Sequence, residues 1–224
     1  MKDRSKLITE QRNQNTHDID CKSTLEVVDI INAEDSIVIN AVHNERQNIA
    51  RAVDLIVESF QKGGRLFYFG AGTSGRLGVL DASECPPAFG TSPELVRGII
   101  AGGIDALTKS IEGAEDRHVD GEQAITENAV NGNDIVVGIA TGGTTPFVHG
   151  ALAQANRLNA TTVFLCCNPD ISPAETVDVI IRPITGPEVI TGSTRMKAGT
   201  ATKLILNTLT TASMIKMGKV YENL

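Results

Sequence analysis

Two stretches of this chain set glycines beside hydroxyl side chains directly after an apolar run, and a third sets them beside cations. The first, Gly70-Ala71-Gly72-Thr73-Ser74-Gly75, follows Leu66-Phe67-Tyr68-Phe69 and leads into Leu77, Val79 and Leu80. A glycine-rich turn from strand to helix aims backbone N–H groups and the positive end of the helix at one point, where an anion can sit. The second, Thr141-Gly142-Gly143-Thr144-Thr145-Pro146, follows the apolar run from Ile135 to Ile139, and Pro146 suits a first helical turn. The third runs from Thr191 to Thr200 and carries Arg195 and Lys197 where a long helix should begin. Cations there oppose the helix dipole unless an anion lies between them. The plainer alternative is a solvated basic turn capped by Ser193.

Read literally, residues 70–75 also satisfy the dinucleotide fingerprint G-x-G-x-x-G. That fingerprint needs an acid closing the second strand, about 20 residues on. The strand expected over 95–100 runs into Ala101-Gly102-Gly103 without one, and Glu94 lies before it. The hydroxyls of Thr73 and Ser74 suit a small phosphomonoester better, since they add donors where a dinucleotide loop needs only backbone. Two acidic spots, around Glu84 and in Glu112-Gly113-Ala114-Glu115-Asp116, complete the set of reactive residues. On spacing alone either glutamate reads as a solvated surface acid. Glu84 precedes Pro86 and Pro87, which are expected to break the helix and free its side chain toward the loops.

The elements that must position these residues can be read from periodicity. The chain has 224 residues with 41% hydrophobic side chains, enough for one domain with a sizeable core. Ser23-Thr24-Leu25-Glu26 is a capping box, and Leu25, Val28 and Ile31 form the stripe of a first helix. A second helix, with Val42, Ile49, Val53, Ile56, Val57 and Phe60, ends at Gly63-Gly64. Strands are then expected near 65–69, 95–100, 134–139, 161–167 and 177–181. Helices are expected from about 75, over 104–116, from about 145 and over 193–217. Apolar strands alternating with helices give an α/β three-layer sandwich, a mostly parallel sheet flanked by helices. In such sheets ligands bind beyond the carboxyl ends of the strands.

The net charge of −7 argues against a nucleic-acid or anionic-membrane surface, so a phosphate site must be a local pocket. Cys21, Cys85, Cys166 and Cys167 form no C-x-x-C pair and read as reduced, cytosolic core residues. The polar first twenty residues, with Lys2, Arg4 and Lys6, contain no apolar stretch that could act as a signal, and nothing approaches a membrane span.

Three long motifs carry a family resemblance: GAGTSGRLGVLDASECPP from Gly70 to Pro87, EGAED from Glu112 to Asp116, and GPEVITGSTRMKAGT from Gly186 to Thr200. With LITEQRN from Leu7 to Asn13 and the ending GKVYENL, the chain resembles the bacterial N-acetylmuramic acid 6-phosphate etherases over essentially its whole length. The third motif is shared with the glucokinase regulatory protein, a non-enzymatic relative on the same sugar isomerase (SIS) fold.

The resemblance implies a cytoplasmic homodimeric enzyme of cell-wall recycling. It would cleave the D-lactyl ether of N-acetylmuramic acid 6-phosphate with water, giving N-acetylglucosamine 6-phosphate and D-lactate. In the open-chain sugar the C2 proton is acidic, lactate leaves C3 to give a conjugated enal, and water adds back. That chemistry calls for an acid–base pair and for no metal or redox cofactor. By motif match Glu84 would protonate the departing lactate oxygen and Glu115 would take the C2 proton. A donor working near neutral pH needs its carboxyl raised by burial or by a second acid. Thr73, Ser74, Thr144, Ser193, Thr194 and Lys197 are the candidates for holding phosphate and sugar.

The resemblance further implies an N-terminal segment with helices over 1–62 and an SIS domain over 63–224, without the small helical C-terminal domain usual in the family. The loop at Gly142-Gly143-Thr144 departs from the family's Ser-Gly-Arg-Thr-Pro by lacking a hydroxyl and an arginine. Two other readings stay open. A sugar-phosphate sensor would need the loops but not both glutamates, and an aldose–ketose isomerase would need no proton donor at the C3 ether.

Overall fold

The computed structural model describes residues 7–173 and 175–224. The reading of Lys2, Arg4 and Lys6 as part of a polar start falls on residues outside that set. Among the described residues, strands β1 (Leu66–Gly70), β2 (Val96–Ile100), β3 (Ile135–Ile139), β4 (Thr161–Leu165) and β5 (Val179–Ile181) form one sheet. All pairs are parallel and the order is β2-β1-β3-β4-β5. The helices are α1 (Thr24–Asp35), α2 (Ile37–Asn44), α3 (Arg46–Gln61), α4 (Gly72–Phe89), α5 (His118–Glu127), α6 (Pro146–Arg157) and α7 (Lys197–Lys216).

Side chains alternate between the faces of a strand, and here both faces are covered, which is why the strands read as continuous apolar runs. Leu66, Tyr68, Val137 and Leu165 face α3, α4 and α7, where Ile56, Ala82, Leu206 and Leu209 complete one core. Phe67, Phe69, Val136 and Phe164 face the other way, onto Ile125, Phe147, Val148 and Leu152 of α5 and α6. Burying each of these large side chains contributes about 1.5–3 kcal/mol. The sandwich of three layers expected from the sequence is present.

The start of the sheet is locked by Asp134, whose fully buried carboxylate accepts from Arg65 N at 2.8 Å, Arg65 Nη2 at 2.8 Å and Asn131 N at 2.9 Å. Every one of these bonds lies at the N-terminal ends of β1 and β3. The opposite ends are left for function.

Several local expectations are corrected. Among the described residues three α-helices precede β1, because Glu45 leaves the helical region (φ −89°, ψ 4°) and its carboxylate instead accepts from Arg182 N at 3.0 Å and Asn48 Nδ2 at 2.9 Å. The helix expected over 104–116 is two short 3₁₀ turns, Ile104–Leu107 and Ala114–Asp116, separated at a left-handed Gly113, and α5 follows them. Pro86 and Pro87 do not break α4, which continues to Phe89 and ends at a left-handed Gly90 whose N–H reaches Pro86 O at 2.9 Å. Their fixed φ is helical, and they fall where only one more turn remains. The stripe of α1 is not core, since Leu25 is 70% and Val28 52% exposed. Cys21 is exposed on a short 3₁₀ turn, while the other three cysteines are buried. No helix among the described residues is long and apolar enough to cross a membrane.

Candidate active site

The strand order changes direction between β1 and β3, and a crevice opens beyond the carboxyl ends of strands at such a point. A cleft of about 270 Å³ lies there. It is lined by Thr73 and Ser74 from the first turn of α4, Thr141, Thr144 and Thr145 from the loop after β3, and Thr194 from the segment before α7. Glu115 reaches it from the 3₁₀ turn after β2. Both glycine loops therefore converge as their chemistry requires.

The N-terminus of α4 is open. Its N-cap is Ala71, with no side-chain cap and no acid in the first turn, so among the described residues its first N–H groups have no side-chain acceptor. Gly72 opens the helix at φ 53°, which a residue with a side chain adopts only at a cost. At Gly75 a Cβ would stand 2.7 Å from Gly70 O, so only glycine lets the first turn pack this close to the end of β1. The second loop is braced from behind, where His149 Nε2 donates to Gly143 O at 3.0 Å and Asn168 Nδ2 to Gly142 O at 3.0 Å.

Asn168 also binds the N-terminal arm, its Oδ1 accepting from Ile8 N at 2.9 Å. The arm thereby lies across its own chain's cleft, to which it adds Leu7 and Glu10. Glu10 was not singled out from sequence. The only signal was its place in LITEQRN, because nothing in residue spacing links position 10 to position 192, against which its carboxylate packs.

The third glycine segment behaves differently. Glu188, fully buried, accepts from Lys197 N at 2.9 Å and Ala198 N at 3.0 Å, capping α7 with a carboxylate. Burial pushes the Glu188 carboxyl up, against these two helix N–H groups, which pull it down. Lys197 is 1% exposed and pairs with Glu34 of α1. Burial pushes Glu34 up, but hydrogen bonds from Asn15, Lys197 and Asn13 outweigh it and leave its pKa lowered. The anion that Lys197 demanded is thus the protein's own. Lys197 and Ser193 stand outside the cleft lining, and Ser193 does not cap α7.

Glu84 is also outside the cleft. It is exposed on α4, ~18 Å along the axis from Gly72 at 1.5 Å per residue. Between them, Asp81 is buried and accepts from Tyr68 Oη at 3.0 Å, Asn207 Nδ2 at 2.7 Å and Thr210 Oγ1 at 3.3 Å, tying α4 to β1 and α7. Burial raises the Asp81 carboxyl, and burial with the nearby Asp81 charge pushes the Cys85 thiol up to about 12. Much of the long motif from Gly70 to Pro87 is therefore structural.

Residues 48–156 match the glucokinase regulatory protein N-terminal SIS domain family. Over 98% of its length the chain is 56% identical to N-acetylmuramic acid 6-phosphate etherase of Vibrio atlanticus, of which it spans 72%. It is 57% identical to the etherase of Clostridium botulinum, again over 98% of this chain and 72% of that protein. The chain belongs to the N-acetylmuramic acid 6-phosphate etherase family. The etherase-family fold is shared with phosphoheptose isomerase from Neisseria gonorrhoeae, with a TM-score of 0.63 and 17% identity over 85% of this chain and 98% of that one. The Vibrio vulnificus NanR protein complexed with ManNAc-6P superimposes with a TM-score of 0.57 and 13% identity over 85% of this chain and 64% of that one. Etherase relatives matched along nearly the whole chain do not favour the sensor reading.

Proposed function

We propose that the cleft between the two glycine loops holds the phosphate and sugar of N-acetylmuramic acid 6-phosphate, and that Glu115 is the base that takes the C2 proton. The reaction is the family's: D-lactate is eliminated from C3, water is added, and N-acetylglucosamine 6-phosphate results. One observation carries the reading. The open N-terminus of α4, both hydroxyl-rich loops and Glu115 meet in a single cleft. Amide N–H groups and hydroxyls supply the donors that a phosphate needs, and a carboxylate beside C2 supplies the base.

In this reading Glu84, the candidate proton donor, enters the site of a second copy. Its exposure and its distance along α4 support this, as does the half-exposed Leu80 one turn away on the same face. The exposed stripe of α1 would give such a homodimer further apolar surface to bury. Residues 7–62 then form an arm and a helical layer on an SIS core that begins at 63.

The test is D-lactate release from N-acetylmuramic acid 6-phosphate by the purified chain. Glu84→Ala and Glu115→Ala should each abolish release while leaving folding and sugar-phosphate binding intact. Mixing the two inactive variants should restore activity, because one mixed site then has both glutamates. Normal turnover by either variant would remove that glutamate from the mechanism, and a mixture that stays inactive would place both in one chain.

A further inference from the structure

A second compartment of about 320 Å³ adjoins the phosphate cleft and shares Ala71, Gly72 and Glu115 with it. We infer that this compartment seats the lactyl carboxylate, with Lys109 as its counter-ion and Arg76 as the residue that positions Lys109; this rests on the etherase reading above.

The substrate is anionic at both ends, with a phosphate on C6 and a carboxylate on the C3 side chain, and the reacting C2–C3 bond lies between them. The cavity has the same plan. Glu115 stands where its two compartments meet. Among the described residues the phosphate side is lined by no lysine or arginine, whereas Arg76 and Lys109 both line the other side. Neither cation is committed to a carboxylate among the described residues. Arg76 donates through Nε to Leu107 O at 2.9 Å and through Nη2 to Lys109 O at 3.0 Å, both neutral acceptors. Its charge stays available, and its two bonds fix the backbone that carries Lys109. Ala106 and Ile111 give the compartment an apolar wall for the lactyl methyl group.

Glu112 and Asp116 also line the compartment, from the 112–116 turn. They exclude an anion from that side and leave the side of Lys109 and Arg76 as the seat for a carboxylate.

The test compares the substrate with N-acetylglucosamine 6-phosphate, which lacks the lactyl group, in the full chain and in Lys109→Met. Lys109 is exposed, so its substitution leaves the core intact. A charge-assisted hydrogen bond to a carboxylate is worth about tenfold or more in affinity. Lys109→Met should raise KM for N-acetylmuramic acid 6-phosphate about tenfold with kcat little changed, leave the Kd of N-acetylglucosamine 6-phosphate unaltered, and be rescued by Lys109→Arg. Equal weakening of both ligands would assign the compartment to the phosphate instead, and no change in either would empty it of substrate. If the unmodified chain releases no lactate, the etherase reading fails. The ratio of the two binding constants, measured without turnover, still decides the subsite.

Discussion

Helix α4 begins with Gly72, Thr73 and Ser74, and helix α7 follows Gly192, Ser193 and Thr194, so the two N-termini look equally suited to an anion. At α4 no side chain among the described residues caps the first N–H groups. At α7 the carboxylate of Glu188 already holds two of them, and the Glu34–Lys197 pair fills the space behind. A helix N-terminus binds a ligand only when its dipole and donors have not been answered from within. What distinguishes the two is a pair of glutamates, Glu188 just before α7 and Glu34 far away in sequence, and the consequence is a cleft at one end and a brace at the other.

The comparison is broken most severely at the brace. Lys197→Met leaves Glu34 buried without its counter-ion, and removing one partner of a buried pair costs about 3–5 kcal/mol. Denaturant titration should show a loss of that size. A loss under about 1 kcal/mol would mean that Asn13 and Asn15 suffice. Next in size is an exchange of roles. Ala71→Asp puts an acidic cap on α4, as Glu188 does on α7, and should add about 1 kcal/mol of stability. It should also abolish detectable sugar-phosphate binding by calorimetry, and retained binding would show that α4 N–H groups do not hold the phosphate. Ser74→Ala sharpens the contrast more gently, weakening binding about tenfold with the thermal midpoint unchanged.

The smallest effect is one of pH. The Glu34 carboxyl is held below its ordinary range in the folded chain, so its stabilising contribution is present above the unfolded value and is lost as pH falls through the folded one. The stability gap between wild type and Glu34→Gln should therefore be widest near neutrality and close in acid below the ordinary carboxylate range. A gap that does not vary with pH would contradict the lowered value. Asp81, raised by burial, acts in the opposite sense, its contribution shrinking as pH rises above the ordinary carboxylate range.

What could be read from sequence follows the same division. The unit of β1, Gly70 to Gly75 and α4 was legible because apolar run, glycine turn and helix are contiguous, and so was its partner after β3. The capping box at Ser23 was legible for the same reason, and Glu26 Oε2 accepts from Ser23 N at 2.8 Å. The role of Lys197 was not, because Glu34 meets it from 163 residues away. The kink at Glu45 involves the backbone of Arg182, and Glu10 enters the cleft on an arm that Asn168, Pro187 and Val189 help to hold. Around 104–116 the local pattern misled, since Gly113 interrupts an apolar spacing that would otherwise suit a helix.

The most direct measurement is an amide nitrogen–proton NMR titration of the chain with N-acetylglucosamine 6-phosphate. The amides of Gly72 to Gly75 and of Thr141 to Thr145 should shift together with a single saturation curve, while those of Lys197 and Ala198, already bonded to Glu188, stay in place. Shifts centred on Lys197 and Ala198 with none at Gly72 to Gly75 would contradict the account.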